Sequence, residues 1–384
     1  MSFRHNSTAI LLCVVFSIFA SCASSDHPVA TSKQYPVNES SDSLPNDGNI
    51  EVGDIDFDEL QVMVSDFPER ALSDLDEWLA GYDSPRLHLL FGQASLNLLE
   101  QRQASGKLGP GLAADLFSDA DAAFAKSLVN FDTHNASLRG MARSFCRQGQ
   151  FVPAWSSALL WHSAEQHNFN LNDQLLFAEI GLGRVIAEQK KQAAETPAAH
   201  LAAEAFEAAI ELGAPHSTRI SLSDLHAWQQ RPAAAAVELA AAISAAPDDP
   251  TAYQRLKSLC LDNRNLHTAT LKQLCFELSD SASALWYYGE ALYLQARDAR
   301  AAADFIKGMS ALDNAERAFE QAAILNEDFA QSCHDWISIL KTLRAWLLRD
   351  DQRIDDAIAS VLDVIEFNPI ALQQPLLEES LPNV

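Results

Sequence analysis

The sequence predicts an all-α protein built from repeated helix pairs, and three observations support this. A small residue is followed four positions later by a large apolar one and three positions after that by a small or apolar one, and this spacing recurs along the chain. Residues at these intervals lie on one helical face, so each copy gives a helix with one apolar stripe. Pro or Asp follows most copies and ends the helix, and no strand-like alternation of useful length appears. The copies begin at Ala120, Ala202, Ala235, Ala315 and Ala357, and their large residues are Phe124, Phe206, Leu239, Phe319 and Val361.

Helices of this kind must stack, because one such helix cannot bury its stripe alone. We therefore expect an α-solenoid of about seven to eight antiparallel helix pairs. The predicted pairs cover residues 85–134, 135–168, 171–215, 216–249, 250–281, 282–329 and 330–371, with a degenerate pair at 56–84. Extra residues lie between or within the helices at 103–116, 189–198, 298–311 and 343–352.

The clearest complete repeat covers residues 135–168. Its first helix contains Gly140 and Phe145, its turn at 148–151 reads polar, glycine, polar, aromatic, and its second helix continues through Ala154. This segment resembles the tetratricopeptide repeat (TPR), and the resemblance extends over about four fifths of the chain. It implies a TPR-like α-solenoid; an alanine-rich helical bundle without repeat symmetry is the alternative. In this family the first helix carries a small residue where it crosses its neighbour, and Gly92, Gly181 and Gly289 lie at this position.

The amino terminus reads as a targeting segment. Arg4 gives a short basic start, and an apolar run of about a dozen residues follows, which is too short for a comfortable membrane span. The run ends in Phe19-Ala20-Ser21-Cys22, which resembles a bacterial lipobox in which the cysteine is lipidated. An ordinary secretory signal cut near Ala23 and an uncleaved anchor are the alternatives.

The predicted domains follow from this segment. Residues 1–21 form a lipoprotein signal peptide, residues 22–55 a lipidated Cys22 with a disordered tether, and residues 56–384 the TPR-like domain. Several acyl chains would give a stable membrane anchor. Because Ala23 and not Asp follows the cysteine, the family's sorting rule implies the outer membrane, with the protein facing the periplasm.

Composition excludes several classes of function. The formal net charge is −25, which argues against nucleic acid because nucleic-acid binding needs clustered Lys and Arg. The sequence carries no recognised catalytic, phosphate-loop or metal-binding signature, so we expect no enzyme, no metal and no cofactor. Cys260 and Cys275 are the best candidates for a disulfide, but buried free thiols are the favoured interpretation.

Two groups of residues are candidates for a partner-binding groove, which the first helices line in TPR solenoids. Arg139, Arg143 and Arg147 recur every four residues on one face and could bind carboxylates. Pairing with neighbouring acids is the alternative, and we expect Arg143→Glu to weaken partner capture without unfolding the chain. The second group could anchor a peptide or stack on sugars, or simply pack between helices, and consists of Trp286, Glu290 and Tyr293.

The resemblance implies a membrane-anchored scaffold or adaptor that binds protein or peptide partners. In layout the chain is similar to helical-repeat lipoproteins of the bacterial envelope that serve assembly or secretion. Two other functions stay open at this point. One is an envelope lipoprotein that captures glycans or peptides through aromatic residues in its groove, and the other is a structural subunit of an oligomeric secretion complex.

Overall fold

The computed structural model describes residues 56–188 and 196–368, and these residues are almost entirely α-helical and contain no strand. The predicted signal peptide, Cys22 and the tether lie outside the described residues. None of the described helices is both long and apolar enough to cross a bilayer. The chain divides into two units at residues 212 and 213, and each unit is described separately below.

The first unit contains eight described helices in four pairs, and four of these helices have Pro as their first residue, where its missing N–H costs nothing. Its helices are α1 (Phe57–Asp66), α2 (Pro68–Gly81), α3 (Pro85–Ala104), α4 (Pro110–Ser127), α5 (Phe131–Arg147), α6 (Phe151–Glu165), α7 (Leu171–Glu188) and α8 (Pro197–Glu211).

The second unit also contains eight described helices in four pairs, several of which begin at Asp, Asn or Ser side chains that cap the first N–H groups. Its helices are α9 (His216–Trp228), α10 (Pro232–Ala245), α11 (Pro250–Leu259), α12 (Arg264–Glu277), α13 (Ala282–Ala301), α14 (Phe305–Leu325), α15 (Ala330–Asp350) and α16 (Ile354–Phe367).

The helix contacts within each unit are those of a stacked repeat. In every described pair except α11–α12, the first helix packs on the second helix of its own pair, and α12 contacts α10 and α13. Within each unit the second helix packs on the first helix of the next pair. First helices of successive pairs also contact each other: α3 contacts α5, α5 contacts α7, and α13 contacts α15. The sixteen described helices thus form eight pairs, which confirms the predicted all-α, TPR-like fold of seven to eight helix pairs.

Glycines let the large residue of each second helix fill the space between first helices. The ring of Phe124 on α4 is fully buried, and a Cβ on Gly92 of α3 would lie 2.7 Å from it. A Cβ on Gly140 of α5 would also overlap this ring, so the ring lies between the backbones of two first helices. Phe319 and Gly289 repeat the arrangement in the second unit at 2.8 Å. The small and large positions of the repeat are therefore one packing device.

Most of the extra residues lengthen helices instead of forming loops. Of residues 103–116, the first two belong to α3 and residues 110–116 belong to α4, which leaves only 105–109 as a connection. Residues 298–311 and 343–352 likewise become extra turns, so that α14 and α15 each have 21 residues. These segments are rich in Ala, Leu and Arg, which favour helix continuation. Residues 189–195 of the remaining segment lie outside the described residues.

One turn geometry ends several first helices. In the predicted turn Gly149 has φ of +71°, and the N–H of Gln150 donates to the carbonyl of Phe145 at 2.8 Å. This is the left-handed closure in which a glycine is favoured. Three pairs of the second unit use it without glycine, with positive φ at Gln230, Ala303 and Gln352.

The four described cysteines are free thiols, as the favoured interpretation had it. Three are buried, and burial raises the pKa of the Cys146 thiol to about 12. Burial also raises the pKa of Cys260 to about 11 and that of Cys275 to about 12. These cysteines therefore pack as small apolar side chains and are unreactive as nucleophiles at neutral pH.

Candidate functional site

The predicted arginine stripe lies on α5, and two of its members share one carboxylate on α3. Arg143 binds Glu100 with two hydrogen bonds, from Nη2 to Oε2 at 2.6 Å and from Nε to Oε1 at 3.2 Å. Arg147 Nη2 donates to the same Glu100 Oε1 at 3.1 Å. About a third of the Arg143 and Glu100 side chains is exposed, at 34% and 31%. The pair therefore joins two neighbouring first helices at the surface of the first unit.

The third member of the stripe pairs in the opposite direction. Arg139 Nη2 lies 2.6 Å from Oδ1 of Asp173 on α7, and the carboxylate side chain is 11% exposed. The guanidinium carbon also lies 5.8 Å from the ring centroid of Trp161. The three arginines thus connect α3, α5 and α7, as in the alternative in which they pair with neighbouring acids. Their role in partner binding stays a prediction.

The second predicted group forms part of an aromatic cluster in the second unit. Trp286 and Tyr293 lie on α13, and both meet Trp336 on α15 edge to face, with ring centroids 6.1 and 5.1 Å apart. Trp286 Nε1 also donates to Ser332 Oγ at 3.0 Å. Trp336 stacks on the buried ring of Phe319, with centroids 5.5 Å apart. The rings of Trp286, Tyr293 and Trp336 are half-buried and pack against the core of the second unit.

The cluster continues onto α11 through two further contacts. Lys257 Nζ donates to Glu290 Oε1 at 2.8 Å, and the Glu290 side chain is only 12% exposed. Tyr287 stacks on buried Tyr253 with centroids 4.1 Å apart. Burial raises the pKa of Tyr287, so its hydroxyl stays protonated and can donate at neutral pH. We call this surface, with Lys257, Trp286, Tyr287, Glu290, Ser332, Tyr293 and Trp336, the aromatic strip.

The structure brings the members of each predicted group together but places the two groups in different units. Sequence reasoning missed the partners of both groups, namely Glu100, Asp173, Lys257 and Trp336. A partial signal existed for one of them. Ser332 and Trp336 are four apart in the first helix after α13, so they lie on one face of α15. Reading neighbouring first helices side by side would have found them.

A small pocket of about 250 Å³ lies between α6, α7 and α8 of the first unit. His162 and His167, which the sequence separates by five positions, both line it together with Glu204. His162 stacks on Phe177 with centroids 4.4 Å apart, and burial lowers its pKa, so the ring is neutral at pH 7. Within the described residues no three His, Cys, Asp or Glu side chains come together as a metal site.

Comparison with known proteins gives one kind of match. No family model and no curated protein matches the chain. Among solved structures, the chain is similar to the C-terminal part of a TPR repeat-containing protein from Cytophaga hutchinsonii, at 12% identity and a TM-score of 0.43, covering 72% of this chain and 98% of that one. The APC/C hetero-tetramer Cut9–Hcn1 is similar at 12% identity and a TM-score of 0.30, over 82% of this chain and 60% of that one. The TPR-like architecture therefore stands on the helix contacts and glycine packing of this chain itself.

Proposed function

We propose that this chain is a scaffold that binds a protein or peptide partner through the aromatic strip of its second unit. The observation that carries the proposal is the set of half-buried aromatic rings on α13 and α15. Large aromatic residues held in a fixed position supply most of the binding energy in many interfaces. Because Trp286 is fixed by Ser332, little side-chain entropy remains to be lost on binding.

The polar residues of the strip would orient a bound peptide. The Tyr287 hydroxyl is a donor, and the Lys257–Glu290 pair offers one exposed cation, since the Lys257 side chain is 40% exposed and Glu290 only 12%. A peptide that presents an apolar side chain beside a carbonyl or carboxylate group fits this arrangement. The role that we propose for this surface is binding without catalysis.

The proposed setting is the bacterial envelope, and it rests on sequence alone. Lipidation at Cys22 would anchor the chain in the outer membrane with the helical repeats in the periplasm, where an assembly or secretion partner would be met. Metabolic labelling with an alkyne fatty acid tests the anchor. We expect label on the wild-type chain and none on Cys22→Ser, and an unlabelled wild-type chain would refute lipidation.

Site-specific photocrosslinking tests the partner site. A photoreactive residue at position 293 is expected to crosslink one main protein in cells, and Trp286→Ala should abolish the adduct. The matched control is position 228, because Trp228 is an aromatic residue of the same unit that is 37% exposed but lies at the end of α9, outside the strip. Identical adducts at both positions, or an adduct that survives Trp286→Ala, would exclude the strip as the partner site.

Sugar binding is a second candidate, favoured by the edge-to-face grouping of Trp286, Tyr293 and Trp336, whose rings could stack on pyranose faces. A glycan array with wild type and Trp286→Ala distinguishes the two functions. Sugar binding that the substitution removes, without a protein adduct in cells, would replace the peptide proposal.

A further inference from the structure

The pocket between α6, α7 and α8 is lined in large part by one side of α8. The four residues that α8 contributes lie at positions i, i+3, i+4 and i+7 and therefore share one face of the helix. They are Leu201, Glu204, Ala205 and Ala208. At about 250 Å³ the pocket is smaller than the sites of drug-sized ligands, which begin at about 300 Å³. It therefore suits a single side chain or a molecule of similar size.

Two imidazole rings form another part of the lining. His162 lies near the end of α6, and His167 lies in the short 3-10 helix Gln166–Asn168 that follows it. The ring of His162 is positioned by Phe177, on which it stacks, and by Phe169, which it meets edge to face with centroids 5.4 Å apart. Because burial lowers the pKa of His162, the ring is neutral at pH 7 and one of its nitrogens is a hydrogen-bond acceptor.

Hydrogen-bond acceptors dominate the polar part of this lining. The Glu204 carboxylate, one nitrogen of neutral His162 and the side-chain carbonyl of Gln174 can all accept. Glu204 Oε1 lies 3.2 Å from His200 Nε2, but these side chains are 57% and 78% exposed, and a pair at such exposure contributes little. None of the described residues that line the pocket is Lys or Arg, so a bound cation would meet no like charge from them.

We propose that this pocket binds a guanidinium group, either of an arginine side chain or of a small molecule that carries the same group. A carboxylate such as Glu204 binds a guanidinium through two parallel hydrogen bonds, and the remaining donors of the guanidinium match the other acceptors of the lining. Leu201 and the two alanines supply apolar surface for the methylene groups of an arginine side chain. An anionic ligand is disfavoured, because Glu204 would repel it.

The proposed site is separate from the aromatic strip. It belongs to the first unit and is lined mainly by the second helices α6 and α8, whereas the strip lies on first helices of the second unit. The net charge of −25 would attract a cationic ligand to the chain in general, and the planar arrangement of donors would select guanidinium over ammonium.

An NMR titration of the full chain, with isotope-labelled histidine, tests the proposal because the ring signals of His162 and His167 report on the pocket directly. We expect Nα-acetylarginine amide to shift both signals with a Kd of about 1 mM or tighter. The citrulline analogue has nearly the same shape without the charge, and it should bind at least about tenfold more weakly. The lysine analogue should also bind more weakly, because its ammonium cannot form the paired planar hydrogen bonds.

Free arginine distinguishes the two sources of the group. Tighter binding of the acetylated amide, which resembles a residue within a chain, would assign the pocket to an arginine side chain of a protein partner. Tighter binding of free arginine, which keeps its own amino and carboxylate groups, would assign the pocket to a small molecule. Both results support a guanidinium site.

Glu204→Gln keeps the size of the side chain and removes its charge, and it should weaken binding of Nα-acetylarginine amide at least about tenfold. Glu207→Gln is the matched control, because Glu207 is exposed on the same helix but is not one of the residues that line the pocket. It should leave the Kd unchanged. An equal loss in both variants would indicate only general attraction by negative charge and would overturn the proposal.

Three other results would also overturn it. They are the absence of a shift at a probe concentration about ten times the expected Kd, equal binding of the citrulline or lysine analogue, and unchanged binding in Glu204→Gln. None of these results bears on partner binding at the aromatic strip, which the crosslinking experiment tests separately.

Discussion

Gly92→Ala tests the packing device of the repeat in one substitution. In a helix this change alone would stabilise by about 1 kcal/mol, because alanine is the better helix former. The new Cβ, however, would lie 2.7 to 2.9 Å from three atoms of the Phe124 ring, whereas carbon atoms pack at about 3.5–4.0 Å. The ring cannot retreat, because it is fully buried and Gly140 closes its other side. Overpacking costs about 1–3 kcal/mol, and we take the upper end here.

The expected net result is a loss of about 2 kcal/mol, or about 4–8 °C in the unfolding midpoint, measured by thermal and urea unfolding. Gly111→Ala is the matched control, because Gly111 lies on the same helix as Phe124 with open space around its Cα, and it should be neutral or slightly stabilising. Phe124→Leu should be destabilising alone but should partly rescue Gly92→Ala, giving a coupling above about 1 kcal/mol. A stabilising Gly92→Ala, or strict additivity with Phe124→Leu, would refute the reasoning. Gly289→Ala against Phe319 repeats the test in the second unit.

Four further predictions concern the turns, the buried histidine, the arginine stripe and the thiols. Ala303→Gly should stabilise by about 1 kcal/mol in urea unfolding, because it relieves a positive φ of 56°, and a destabilised variant would contradict this. Burial, with Arg264 and Lys257 nearby, lowers the pKa of His267 to about 4. Between this value and about pH 6.5 the unfolded chain binds a proton on His267 that the folded chain does not. The free energy of unfolding should therefore be highest above about pH 6.5 and should fall as the pH is lowered towards 4. Burial raises the pKa of Asp224 to about 6, which makes stability change with pH in the opposite direction, so the measurement should use an Asp224→Asn variant. In that variant, His267→Gln should flatten the dependence of stability on pH. Arg143→Glu should lower stability by about 1 kcal/mol more than Arg143→Gln, because the new carboxylate faces Glu100, and equal effects would show that repulsion from Glu100 is negligible at this position. A thiol count on denatured, unreduced residues 56–384 should find four thiols, at Cys146, Cys260, Cys275 and Cys333.

The sequence was sufficient for the repeat because the packing device is written in local spacing. Ala120 and Phe124 lie four apart, and this fixes which side of α4 meets the first helices. Gly92 could be predicted as a crossing residue for the same reason. The lengthened helices could not, because the extra residues at 298–311 read equally well as a connection or as added turns. Only the packing of α13 against α14 along their whole length decides between the two.

The candidate sites were predictable only in part, because they depend on the rotation of one helix against its neighbour. Spacing within α5 placed its arginines on one face, and this agrees with the structure. Nothing in that spacing says that Arg143 meets Glu100, which lies 43 residues earlier, or that Arg139 meets Asp173. Such pairs depend on the register between first helices, which the sequence of a single helix does not contain.

The two predicted groups therefore have different standing as binding surfaces. An acidic partner at the arginine stripe must compete with Glu100, which already takes two guanidinium groups, so the net gain from each new ion pair is small at this exposure. A partner at the aromatic strip displaces only water from rings such as Trp286, whose hydrogen bond to Ser332 can remain in place. Desolvating fixed aromatic surface without breaking an existing pair is the more favourable exchange. For this reason the second unit carries the stronger candidate site, and the arginines act first as links between α3, α5 and α7.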